Sequence, residues 1–94
     1  MKNAKQELLR EVTPSLIKCA EIKCHGRTIL MKVGGDVSEF IESLDFNYNA
    51  GYGGQELYGN VWLTDNKSWL ERGEYDGAEW WELKKLPTIP NKLK

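Results

Sequence analysis

From residue 53 to 86 the chain alternates apolar and polar positions with a period of two. Leu57, Gly59, Val61 and Leu63 fall on one side and Tyr58, Asn60, Trp62 and Thr64 on the other, the signature of a strand with two different faces. Asp65-Asn66 and Asp76-Gly77 interrupt the alternation; these residue types tolerate positive φ and predict hairpin corners. The segment therefore predicts a three-stranded antiparallel meander. A two-residue loop fixes register, so Trp62 should oppose Trp69, Val61 oppose Leu70, Arg72 oppose Trp81, Gly73 oppose Trp80 and Leu70 oppose Leu83.

Upstream, the pattern changes period. Asn3 followed three residues later by Gln6, with Leu8, Leu9 and Val12 at helical spacing, predicts a capped helix that Pro14 terminates. Residues 16–24 and 27–33 alternate again around His25-Gly26. The resulting hairpin sets Ile22 against Ile29, Ala20 against Met31 and Lys18 against Val33. After Gly34-Gly35, Asp36 caps a short helix through Leu44 whose stripe is Val37, Phe40, Ile41 and Leu44. Residues 45–50 predict a further short strand or edge segment, and residues 87–94, with Pro87 and Pro90, an extended basic tail. The fold class that follows is α+β: residues 1–94 form one domain whose antiparallel sheet of about five strands, a hairpin plus the meander, carries one or two helices on one face. Of these, the helix at 36–44 is expected to cover a core row of Val61, Leu70 and Leu83.

That arrangement leaves the opposite sheet face to explain. It holds Tyr58, Trp62, Trp69, Tyr75 and Trp80, with Glu71, Glu74 and Glu82 at its rim and Arg72 near the cluster. Large aromatics and Arg anchor protein interfaces, and an exposed apolar patch of this size needs a cover. The expected binding residues are therefore Tyr58, Trp62, Trp69, Glu71, Arg72, Tyr75, Trp80 and Glu82. The plainer alternative is burial beneath a second layer, either the N-terminal helix or a twin subunit in a homo-oligomer.

Charge narrows the partner. The net charge of −1 hides +4 over residues 1–33, −9 over residues 34–82 and +4 over residues 83–94. An acidic middle does not predict nucleic-acid binding, which needs a basic stripe; it predicts a protein partner with a basic surface, steered by the acidic rim. A small nucleotide-like ligand is the alternative, stacked on aromatics with the glycine cluster at 51–54 toward its phosphate. That cluster has neither a P-loop nor a dinucleotide-binding pattern, so a plain loop is the simpler reading.

Catalytic chemistry is not expected. Glu71, Glu74, Asp76, Glu79 and Glu82 read as carboxylates solvated around a hairpin, with no His, Cys or Ser placed to work with them. Cys19, Cys24 and His25 form C-x4-C-H, which matches neither a zinc finger nor a haem attachment site. Five residues apart on one strand, the two cysteines stand roughly 16 Å from each other and predict free thiols. Neither metal nor cofactor is expected. With no apolar run long enough for a bilayer and no signal-peptide pattern, the chain reads as cytoplasmic, with no membrane association.

The run GGQELYGNVWLTDNKSWLERGEYDGAEWWELKKLPTIP resembles a pattern in small bacteriophage and prophage proteins with no settled activity. In that pattern a G-G-Q-x-L-x-G strand leads to W-L-E-R-x-E-Y-D-G-x-E-W-W and a Pro-containing tail. The resemblance covers about the last 40 residues and implies a phage context: a protein in the host cell that binds a host protein, as an inhibitor of a host process or defence, or that sequesters a defence signal. It transfers no catalytic residue.

Overall fold

A computed structural model describes residues 1–50 and 53–94. Two helices, α1 (Ala4–Glu11) and α2 (Val37–Ser43), accompany two sheets. The larger sheet is built from β2 (Ile17–Cys24), β3 (Arg27–Met31), β5 (Leu57–Leu63), β6 (Ser68–Tyr75) and β7 (Ala78–Lys85), all antiparallel, in the order β3-β2-β5-β6-β7. The smaller sheet pairs β1 (Lys2–Asn3) with β4 (Asn47–Tyr48). The α+β class and the hairpin-plus-meander sheet are those the alternation predicts. Residues 45–50 do supply a strand, but its partner is the N-terminus rather than the main sheet.

Local chemistry accounts for most boundaries. Asn3 accepts from the Gln6 N–H at 3.0 Å and Asp36 from the Glu39 N–H at 3.1 Å, so both helices start at side-chain caps. His25 (φ 53°) with Gly26 (φ 74°), and Asp76 (φ 50°) with Gly77 (φ 85°), form two-residue corners with positive φ at both positions. The meander registers Val61↔Leu70, Trp62↔Trp69, Arg72↔Trp81 and Gly73↔Trp80 are the expected ones.

Other details differ from expectation. Between Leu63 and Ser68 the connection is wider than two residues: the Asn66 N–H donates to the Leu63 carbonyl at 3.3 Å and only Asn66 turns to positive φ, at 59°. The Asp65 carboxylate closes this turn by accepting from the N–H groups of Lys67 and Ser68, both at 2.9 Å, and from Ser68 Oγ at 2.7 Å. At the start of β2 a bulge between Ile17 and Cys19 breaks the alternation. Ile17 thereby reaches the core beside Ala20 and Ile22, whereas Lys18 turns to Asn66 instead of facing Val33 across the hairpin.

The core lies between one sheet face and the helical layer, and includes Leu8, Ile22, Leu44, Tyr48, Leu57, Val61 and Leu70. The expected core row under α2 needs correction. α2 packs on β3 and on the 3-10 turn Pro14–Leu16, while α1 and the β1/β4 pair reach over the meander, as the contacts of Glu7 and Tyr48 with Arg72 show. Val61 and Leu70 are buried, but Leu83 remains 55% exposed, because its end of β7 runs beyond that cover.

Candidate functional site

The sheet face turned away from both helices carries the aromatic residues. Exposure runs from 37% for Trp80 through Trp62 and Tyr58 to 77% for Tyr75, and Trp69 is half-buried. Strand order and register arrange this face in rows. Cys19, Trp62, Trp69 and Lys84 are successive cross-strand partners, and so, in the next row, are Leu30, Glu21, Asn60, Glu71 and Glu82. Beyond the acidic row, Lys23 partners Tyr58 and Gly73 partners Trp80. Carboxylates therefore cross the middle of the face, and aromatics flank them on both sides.

Two of those carboxylates hold indoles in place. Trp80 Nε1 donates to Glu82 Oε1 at 2.8 Å, and Trp69 Nε1 to Glu71 Oε1 at 3.3 Å. The Trp80 hydrogen bond, joined by Lys84, draws the Glu82 pKa below its ordinary value. A Cβ on Gly73 would fall 2.7 Å from Trp80 Nε1, so the indole lies directly over that glycine and covers its bare backbone. These two contacts orient both indoles within the fold itself.

Arg72 is not on this face. Its side chain is only 2% exposed and points into the core, where the register with Trp81 directs it. Arg72 Nη2 donates to Glu79 Oε1 at 2.8 Å and to Tyr48 Oη at 2.5 Å, while Nε reaches Glu79 Oε1 at 3.1 Å. Nη1 sits 3.0 Å from Glu7 Oε2 but aligns as a hydrogen bond with no acceptor among the described residues. The Tyr48 hydroxyl donates to Glu7, and the guanidinium also lies 5.0 Å from the Trp81 ring centroid. Glu79 is fully buried rather than solvated, and its carboxylate accepts the N–H groups of Glu56 at 2.8 Å and Leu57 at 3.1 Å.

One network thus ties α1, β4, β5, β6 and β7 together. Burial alone would lower the Arg72 pKa, but Glu7 and Glu79 outweigh it and the net shift is upward. Burial, with the hydrogen bond to Glu7, pushes the Tyr48 phenol well above its ordinary range. The buried groups pair with one another, so the network reads as structural.

Of the remaining rim residues, Glu74 lies on the strand side shared with Arg72 and accepts the Gly77 N–H at 3.2 Å, capping the corner. In the glycine cluster, Gly51 and Tyr52 lie outside the described residues. Gly53 packs on the Asp76-Gly77 corner, where a Cβ on Gly77 would come within 2.8 Å of the Gly53 nitrogen.

Cys19 and Cys24 are free thiols, the second buried and its pKa raised by that burial. Among the described residues, no group of three or more His, Cys, Asp or Glu side chains is arranged to hold a metal ion, and no helix is long and apolar enough to cross a membrane.

The feature that the alternation does not reveal is a groove at the end of this face beside the β5–β6 turn. It is an open groove of about 620 Å³, lined by Trp62, Trp69, Cys19, Val33 and Leu86, with Lys18, Asn66 and Lys67 among its polar groups. The bulge in β2 and the Leu86 N–H, which donates to the Lys67 carbonyl at 2.8 Å, bring these residues together. Comparison with protein-family models, with curated proteins and with solved structures returns no match for this chain.

Proposed function

We propose that the chain is a non-enzymatic binding protein that engages a partner protein through its outer sheet face. The observation that carries this reading is that Tyr58, Trp62, Tyr75 and Trp80 remain exposed on a face that neither helix covers. Burying such aromatics against a partner removes apolar surface from water, the main driving force of association, and Trp and Tyr recur as interface anchors. The row of Glu21, Glu71 and Glu82 supports a partner surface with Lys or Arg side chains that cross the carboxylate row while apolar groups meet the flanking indoles. In the phage setting that the C-terminal pattern implies, this partner is a host protein and the chain inhibits it.

The acidic row provides the test. Glu71→Lys and Glu82→Lys should slow association with a captured partner and weaken its dependence on salt, with the dissociation rate changed less. Unchanged association in both variants would rule out the charge argument.

A further inference from the structure

We infer that the groove beside the β5–β6 turn is a second binding site, for a nucleoside diphosphate or a closely related planar, anionic ligand. Its apolar lining includes Trp62 and Trp69, which are cross-strand neighbours and offer indole surface to a base; stacking of this kind accepts any base. The volume of about 620 Å³ lies within the range typical of small-molecule sites.

Charge selects an anion. Lys18 and Lys67 line the groove, and among the described residues neither has a carboxylate within 4.0 Å. Lys18 Nζ is held 2.6 Å from the neutral amide oxygen of Asn66, so that ammonium is positioned without being neutralised. Asp65, the turn's own carboxylate, stays ionised but is oriented by the Lys67 and Ser68 N–H groups and the Ser68 hydroxyl, and it does not line the groove. Aromatic surface next to two ammonium groups that form no salt bridge among the described residues is complementary to a base carrying phosphate. Glu21, Glu71 and Glu82 do not line the groove, and Glu71 touches it only through the Trp69 indole.

The inference goes beyond protein binding; the groove shares Trp62 and Trp69 with the proposed partner face, so its test turns on Lys18 and Lys67, which that face does not use. The test is a titration of the purified chain with ADP, read by tryptophan fluorescence, with adenosine and inorganic pyrophosphate as controls. Saturable quenching by ADP is expected, with affinity that drops by about tenfold or more for adenosine and falls with added salt. Lys67→Gln and the double variant Lys18→Gln/Lys67→Gln should bind ADP more weakly than the parent while retaining its thermal transition. Lys67 is exposed, so the single variant remains informative if the double variant fails to fold. Glu82→Lys, which impairs the proposed partner surface, should leave ADP binding intact. No saturable quenching by ADP, or equal affinity in the Lys67→Gln chain, would overturn the inference.

Discussion

Removing the Arg72 side chain gives the sharpest stability prediction. In Arg72→Ala the buried Glu79 carboxylate loses its cation and keeps only the Glu56 and Leu57 N–H groups, while Glu7 loses the guanidinium and keeps the Tyr48 hydroxyl and Lys2. Breaking a buried ion pair from one side costs about 3 to 5 kcal/mol, because a charge is left without compensation. The lost packing against Trp81 adds to this. A domain of this length has a total stability of about 5 to 15 kcal/mol, so the variant should be marginal. At about 4 to 8 °C per kcal/mol, its melting temperature should fall by more than about 12 °C.

Urea unfolding followed by tryptophan fluorescence and circular dichroism measures the loss. Arg72→Lys should recover only part of it, since one ammonium cannot reproduce contacts with Glu79, Tyr48 and Glu7 together. A loss below about 1 kcal/mol in Arg72→Ala would show that the network does not hold α1 and β4 to the meander as described.

Further predictions concern the core row, the thiols and the turn. Leu70→Ala should cost about 2 to 5 kcal/mol in urea unfolding, whereas Leu83→Ala, at an exposed position on the same strand face, should cost under about 1 kcal/mol; similar losses would place the edge of the core elsewhere. Replacing Cys19 and Cys24 with Ala should leave partner binding unchanged, and chelator should not lower the melting temperature; weaker binding would make Cys19, beside Trp62, part of the contact, and a chelator effect would indicate a metal-binding role. The backbone N–H groups of Lys67 and Ser68, with the Ser68 hydroxyl, hold the Asp65 pKa below its ordinary value near 3.8. A depressed folded-state pKa stabilises the protein fully above the unfolded value, and that contribution is lost as pH falls through the lower folded one. Asp65→Asn should therefore flatten the stability profile below about pH 4, and an unchanged profile would contradict the capping role.

The register of the meander was legible because Asp76-Gly77 and the alternation on both sides of it admit one pairing, and Val61↔Leu70 and Arg72↔Trp81 follow. That same pairing already placed Arg72 and Glu79 on the core face with Leu70 and Trp81. Charge argued against burying them, and the compensating partners could not be seen: Glu7 and Tyr48 lie far away in sequence and meet Arg72 only through the β1/β4 pair. Leu83 was misplaced for a related reason, since alternation gives a side of the sheet but not how far the helical layer extends over it. The groove escaped because it depends on the β2 bulge and the wider turn at Asp65 and Asn66, both departures from regular pairing.

The central claim, that the outer aromatics serve binding rather than folding, is tested most directly by measuring Trp62→Ala twice. Urea unfolding gives its stability, and surface plasmon resonance gives its affinity for a partner captured and identified with the parent chain. Trp62 is 41% exposed, so stability should change by less than about 1 kcal/mol while affinity falls by at least about 1 to 2 kcal/mol. A stable Trp62→Ala chain that binds with full affinity would contradict the account, and so would one that unfolds.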